Sequence, residues 1–294
     1  MTQRSVEKTV TAHRQAEGGG FVVRRPFPTQ GLDMVDPFLM IDEMGPVEYG
    51  PGQAIGAPAH PHRGFETITY ILDGEVEHKD SAGHSGVILP GGVQWMTAGS
   101  GVVHSEMPTA RMMEQGGRMH GFQIWLNLPA KDKMTPPRYQ ERRNEEIPTA
   151  LSSDGLASGR IIAGKALGVE AVISTHSPIH MHHWTLKAGA RVDLELDAGL
   201  SALVYVFEGA AQVGAALEPI FEGQVAMMGP GEGLTLATPE HVQGSTQLLV
   251  LAGKPLAEPV SRYGPFVMNH PHEIHEAIAD FQSGKMGRIA AELA

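Results

Sequence analysis

Glycine and proline interrupt this chain at short intervals, and this spacing limits its possible folds more than any other feature. The sequence has 36 Gly and 21 Pro among 294 residues. Between the breaks lie apolar runs of strand length, such as Thr67–Leu72, Ala202–Phe207 and Thr246–Ala252. We therefore predict an all-β protein. The only longer helix is expected near the C-terminus, where Asn269 can cap it and Pro271 suits its first turn.

A motif that occurs twice predicts two similar domains. Tyr70–Gly74 resembles Tyr205–Gly209, and a Pro-Gly turn follows each copy. The chain length also suits two domains of about 150 residues. We place the N-terminal domain at 1–132, a charged, proline-containing linker at 133–148 and the C-terminal domain at 149–294.

Composition excludes several classes of protein and site. The chain has no Cys, which rules out disulfides, thiolate zinc sites, iron–sulfur clusters and a cysteine nucleophile. Its net charge of −11 argues against nucleic acid or an anionic membrane as a partner. No apolar stretch is long enough to span a membrane, and the polar segment Met1–Gly20 does not resemble a secretory signal. We expect a cytoplasmic protein.

Two short motifs contain the residues best suited to bind a metal. On one extended strand, residues i, i+2 and i+6 face the same side, so we expect His60, His62 and Glu66 to point to one spot. His104 and Glu106 share a face for the same reason. Three histidines and one glutamate leave two positions open on an octahedral ion, as a catalytic site requires. Spacing alone leaves the choice between the two glutamates open.

The first motif and the text around it resemble the cupin signature, and in detail the pirin family. The resemblance is carried by HPHRGFETITYILDGEVEHKD, GVQWMTAGSGVVHSEMP and RYGPFVMNHPHEIHEAIADFQSGKMG. Ordinary cupins place a histidine ligand after the Pro-Gly turn, where this chain has Val93-Gln94-Trp95, and pirins share that departure. The resemblance implies two tandem cupin-type antiparallel β-barrels, a bicupin, with a short C-terminal helix.

The same resemblance implies a ligand set. In this numbering the metal ligands would be His60, His62, His104 and Glu106. The metal would be one divalent transition ion, iron(II) in most pirins, although other divalent ions also suit these donors. Glu66 would then lie outside the ligands or face the substrate, where it could orient a ligand imidazole.

The remaining histidine motifs are expected to hold no metal. In the second repeat, Glu195 and Asp197 occupy the positions equivalent to the first two histidines, so the C-terminal domain is expected to be metal-free, as in pirins. In the segment 180–183, we expect exposed strand histidines, with His183 facing away from the other two. His270-Pro-His272 lies at the start of the predicted helix, where a surface role is expected.

The resemblance implies an enzyme, with two alternatives. We expect a dioxygenase of the quercetin 2,3-dioxygenase type that takes a flavonol or enediol and O2, with Glu106 accepting the substrate's hydroxyl proton. The alternative is an iron-dependent, redox-sensing regulator that acts through a protein partner. A sugar-phosphate isomerase ranks last, because Arg63 is the only cation next to the metal motif.

Overall fold

The computed structural model describes residues 1–17 and 19–289, which are almost entirely β-strands and turns. The strands are β1 (Val6–Thr11), β2 (His13–Glu17), β3 (Phe21–Phe27), β4 (Phe38–Tyr49), β5 (Ala57–His62), β6 (Phe65–Asp73), β7 (Val76–Asp80), β8 (Ser85–Ile88), β9 (Val93–Thr97), β10 (Val102–Pro108), β11 (Gly117–Asn127), β12 (Arg138–Arg142), β13 (Thr149–Leu151), β14 (Ala157–Ala163), β15 (Lys165–Ala166), β16 (Val169–Glu170), β17 (Ile179–Lys187), β18 (Arg191–Glu195), β19 (Ser201–Glu208), β20 (Ala210–Val213), β21 (Glu218–Phe221), β22 (Gln224–Met228), β23 (Gly233–Ala237), β24 (Ser245–Gly253), β25 (Ser261–Tyr263) and β26 (Phe266–Met268). The α-helices are α1 (Ala110–Gln115) and α2 (Pro271–Gln282), and short 3-10 turns span Ala130–Asp132 and Asn144–Glu146.

The chain divides into two compact units, and each unit draws on more than one stretch of sequence. One unit consists of Met1–His13, Pro26–Pro37 and Glu145–Leu256. The other consists of Arg14–Arg25, Phe38–Asn144 and Ala257–Ala294. We call them the C-terminal unit and the N-terminal unit, after the main segment of each. The expected all-β architecture with a short C-terminal helix is therefore confirmed.

The N-terminal unit is built mainly from two antiparallel sheets that face each other. The large sheet has seven strands in the order β12-β9-β6-β11-β4-β3-β2, and the small sheet has four in the order β5-β10-β7-β8. Side chains of the two sheets meet between them: the ring of His62 on β5 lies 5.4 Å from the ring of Trp125 on β11. The side chains that alternate inward on each strand therefore form the interior of this unit.

The C-terminal unit repeats this plan. Its large sheet runs β1-β22-β19-β24-β17-β14-β13, and its small sheet runs β18-β23-β20-β21. Residues of both sheets share one apolar core, which includes Val204 and Val250 of the large sheet and Leu194 and Leu236 of the small one. The strands that carry the two copies of the repeated motif, β6 and β19, hold equivalent central places in their large sheets.

Two local features differ from the expectations above or add to them. The stretch 133–148, which we assigned as the linker, contains β12, and this strand pairs with β9 from Arg138 to Arg142. Helix α2 begins one residue later than expected, because its N-cap is His270. The side chain of Asn269 instead donates to the carbonyl of Pro259 at 2.9 Å.

None of the helices in the described part of the chain has the length and apolar character needed to span a membrane.

Candidate metal centre

Two neighbouring strands of the small sheet bring three histidines together. Strands β5 and β10 are antiparallel, and their register places His60 directly opposite His104. His62 lies two residues further along β5, on the same face as His60. The ligand nitrogens of the three side chains lie within 4.8 Å of one another. Within the residues that the structure describes, this is the one group of three or more metal-ligand side chains at such distances.

The chemistry of the three rings fits a metal ion. The ring centroids are 4.5–4.9 Å apart, close enough for one ion bound to all three through bonds of about 2 Å. Nδ1 of His60 donates to the carbonyl of Pro58 at 2.7 Å, which leaves Nε2 of His60 with its lone pair. Among the described residues, neither ring nitrogen of His104 has a hydrogen-bond partner. The cluster can therefore hold a metal.

Burial keeps two of the three imidazoles neutral. The pKa of His62 lies well below its usual value because the ring is buried, with repulsion from His60 adding to the effect. The pKa of His104 is lowered in the same way, first by burial and then by the other two rings. A neutral imidazole is the form that binds a metal, so the fold prepares both side chains as ligands.

Glu106 faces the same interior but lies outside the histidine cluster. It follows His104 by two residues on β10, and a register shift in the pairing with β5 lies between the two. Its Oε1 accepts a hydrogen bond of 2.7 Å from Thr69 Oγ1 on the large sheet. The structure thus places this carboxylate inside the unit beside the histidines. Its role as a ligand and as a proton acceptor stays a prediction.

Glu66 does not join the histidines, and the expectation based on its i+6 spacing is wrong. Gly64 lies in the turn that follows β5 and has a positive φ of 87°. A side chain at this position would collide with the carbonyl of Val267. A new strand, β6, begins at Phe65, so the period-2 alternation does not continue from His62. Glu66 lies on the opposite face of β6 from Thr69 and accepts a hydrogen bond of 2.6 Å from Thr97.

The turn after His62 is held by side chains that the sequence did not reveal. Arg63 donates through Nε to the carbonyl of Ser100 at 2.7 Å and pairs with Asp280 of α2 at 2.9 Å. This arginine therefore hydrogen-bonds within the protein itself, which does not favour the sugar-phosphate isomerase. The buried ammonium of Lys133 donates to the carbonyls of Gly64 and Val267 and to the side chain of Asn127.

The other histidine motifs have different surroundings. His180, His182 and His183 are all buried, so the expectation of exposed strand histidines is wrong. His183 does face away from the other two, since its Nε2 lies 2.9 Å from Gln247 while the rings of His180 and His182 are 5.5 Å apart. The rings of His270 and His272 stack at 5.7 Å at the start of α2.

Comparison with known proteins identifies the family. The family model for pirin matches residues 20–126, and the model for the pirin C-terminal cupin domain matches residues 181–287. The chain belongs to the pirin family. The resemblance found in the sequence is therefore confirmed, as is the bicupin fold that it implies.

The relatives match this chain over nearly its whole length. A "Pirin-like protein" of Solanum lycopersicum is 42% identical, with 97% of this chain and 93% of that protein covered. A Pseudomonas aeruginosa protein named "Putative quercetin 2,3-dioxygenase" is 43% identical, with 94% and 96% covered. A crystal structure of "Quercetin 2,3-dioxygenase" from Acinetobacter baumannii superposes with a TM-score of 0.90 at 38% identity, covering 98% of this chain and 100% of that one.

Proposed function

We propose that this pirin is a metal-dependent dioxygenase of the quercetin 2,3-dioxygenase type, acting on flavonol or enediol substrates together with O2. The observation that carries the proposal is the convergence of His60, His62 and His104 within 4.8 Å, on an interior face that also holds Glu106. Relatives about 40% identical to this chain have names that refer to this activity. A reducing compartment suits a chain without cysteine, and we propose the cytoplasm.

The proposed ligands are His60, His62, His104 and Glu106, with iron(II) as the resident ion. When bound there, a divalent metal supplies Lewis acidity and a common template for substrate and O2. The three imidazoles and one carboxylate would leave room for both. Two of the rings stay neutral through burial, so binding does not first require them to lose a proton.

The protein's own residues would orient and deprotonate the substrate. Glu106 accepts a hydrogen bond from Thr69 through Oε1, which holds the carboxylate in place, while Oε2 can accept the proton of a substrate hydroxyl. Phe65 and Trp125 pack against His62, with ring centroids at 5.1 and 5.4 Å, and provide an apolar wall. A wall of this kind suits a flat aromatic substrate and excludes water from the reacting groups.

Turnover of quercetin by defined metal forms tests the proposal. Metal-free protein would be loaded with iron(II) under anaerobic conditions, and O2 uptake and carbon monoxide release would then be measured with quercetin. We expect equal amounts of O2 consumed and carbon monoxide released. The His104→Ala variant should lose about 100-fold or more of this activity, because one of the metal ligands is gone.

The matched control is His241→Ala, which removes an exposed histidine of the C-terminal unit. This variant should keep the wild-type rate and metal content. No metal-dependent turnover by the wild type after loading with iron, nickel or manganese would overturn the proposal. Equal rates for His104→Ala and wild type would overturn the assignment of the histidines.

A further inference from the structure

A row of polar side chains crosses the large sheet of the N-terminal unit at the level of Glu106. One residue comes from each of five neighbouring strands, and each is the direct cross-strand partner of the next. In sheet order they are Glu141, Gln94, Thr69, Gln123 and Asp42. Directly paired residues project to the same face of a sheet. The bond from Thr69 to Glu106 shows that this face is the one turned towards the metal centre.

The charged residues at the two ends of the row already have partners. Asp42 is held by Arg25, with Arg25 Nε 2.6 Å from Oδ1 and Nη2 2.5 Å from Oδ2. Arg25 also pairs with Glu17 at 2.6 Å, so its positive charge is matched within the protein. At the other end, Glu141 pairs with His78. In the uncharged middle of the row, Thr69 Oγ1 donates to Glu106 at 2.7 Å and lies 3.3 Å from Oε1 of Gln123. The two glutamine amides on either side of Thr69 are the uncharged groups that a ligand could contact.

Gln94 presents a buried acceptor that the described residues leave without a partner. Its side-chain nitrogen donates to Glu141 Oε1 at 2.8 Å. Because a carboxylate can only accept a hydrogen bond, this contact identifies the amide nitrogen as the atom next to Glu141. Oε1 of Gln94 therefore points away from Glu141. Oε1 is buried, and no hydrogen-bond partner for it exists among the residues that the structure describes. An unpaired buried acceptor is costly, and a bound hydroxyl group would satisfy it.

We propose that Gln94 and Gln123 bind hydroxyl groups of the flavonol or enediol substrate and thereby determine which substrates this site accepts. The two amides flank Thr69 on adjacent strands, so a molecule bound at the histidines beside Glu106 lies against both. The inference rests on the proposed function and names the residues that would determine its specificity. Phosphorylated compounds are disfavoured, because the row ends in carboxylates and Arg25, which contacts Asp42, is already paired with Asp42 and Glu17.

Binding measurements that cross protein variants with ligand hydroxyls test this inference without turnover. Nickel-loaded, anaerobic protein would be titrated with quercetin and with flavonols that each lack one ring hydroxyl, using tryptophan fluorescence. The variants are Gln94→Met and Gln123→Met, which keep side-chain length and remove the amide. Each should weaken quercetin binding by about five- to tenfold, the effect of one neutral hydrogen bond. The loss should vanish for the flavonol that lacks the contacted hydroxyl.

Gln140→Met is the matched control. Gln140 adjoins Glu141 on β12 and pairs with Trp95, so it lies on the other face of the same sheet. The Gln140→Met variant should bind every flavonol with the affinity of the wild type. Metal content and thermal unfolding would be measured for all variants.

The outcomes separate the two proposals. If the wild type binds quercetin and both variants bind all flavonols with wild-type affinity, the recognition by glutamine is wrong and the proposed function stands. If the loaded wild type binds none of the flavonols, the proposed function and this inference both fail. If either Gln94→Met or Gln123→Met loses metal or stability, the comparison with wild type uses the other variant alone. Equal losses for all ligands, with or without the hydroxyl, would also overturn the inference.

Discussion

Glu66 is a buried carboxyl group whose ionisation costs stability, and its replacement by glutamine measures that cost. The side chain accepts a hydrogen bond of 2.6 Å from Thr97. Burial raises the pKa of Glu66 from 4.5 to about 7, and the Thr97 bond and the charge of Arg138 only partly oppose this. The folded protein therefore keeps this proton over a pH range in which the unfolded chain has already released it.

The size and sign of the effect follow from this difference in pKa. A shift from 4.5 to about 7 corresponds to about 3 kcal/mol, at about 1.4 kcal/mol per unit. Between these two pH values the folded state binds more protons than the unfolded state. The free energy of unfolding contributed by Glu66 therefore falls as the pH rises through this window, and it stays constant above it. Glutamine cannot ionise and keeps an oxygen to accept the bond from Thr97.

Urea denaturation of the metal-free proteins, from about pH 4.5 to about pH 8.5, provides the assay. We expect Glu66→Gln to gain about 3 kcal/mol relative to wild type across this range, because only the wild type must ionise a buried group. Subtracting the wild-type value at each pH removes the contribution of other titrating groups. The control, Glu114→Gln, changes an exposed residue of α1 and should follow the wild type throughout. A difference between Glu66→Gln and wild type that does not change with pH, or one of opposite sign, would contradict the raised pKa of Glu66.

Four further outcomes are expected. Lys133→Met should lower the free energy of unfolding by about 3 kcal/mol or more in urea denaturation, because three buried acceptors lose their donor. Thr69→Val should lower kcat about tenfold with quercetin, with metal content unchanged, because Glu106 loses the bond that orients it. Arg4→Ala should lower the melting temperature, since its guanidinium donates to three backbone carbonyls of the C-terminal unit. Metal retention, followed by dialysis and metal analysis, should fall as the pH is lowered, because protons compete with the metal for the imidazoles. Burial lowers the pKa of His62 and His104, so this loss should begin well below the ordinary histidine value of about 6.5; retention that does not depend on pH while the protein stays folded would contradict histidine ligation.

Features that depend only on residues close together in the chain could be derived before the structure was known. Glycine and proline breaks delimit the strands, and the repeated Tyr70–Gly74 and Tyr205–Gly209 motifs indicate two similar domains. His60 and His62 are two residues apart on one strand, so both rings lie on the same face of it. Each of these inferences uses only the two-residue alternation of an extended backbone, which holds as long as the strand is unbroken. Where Gly64 breaks the strand, the same reasoning failed for Glu66.

Contacts between distant residues depend instead on how the strands pair and pack. His104 lies opposite His60 only because β5 and β10 pair in one particular register. The row through Gln94, Thr69 and Gln123 depends on the registers of strands that are far apart in the chain. Polar residues inside apolar strands were the only sign of this row, and alternation alone does not say which strands are neighbours. Register is set by the packing of the whole interior, because a slip of one residue would turn every buried side chain of a strand to the wrong face.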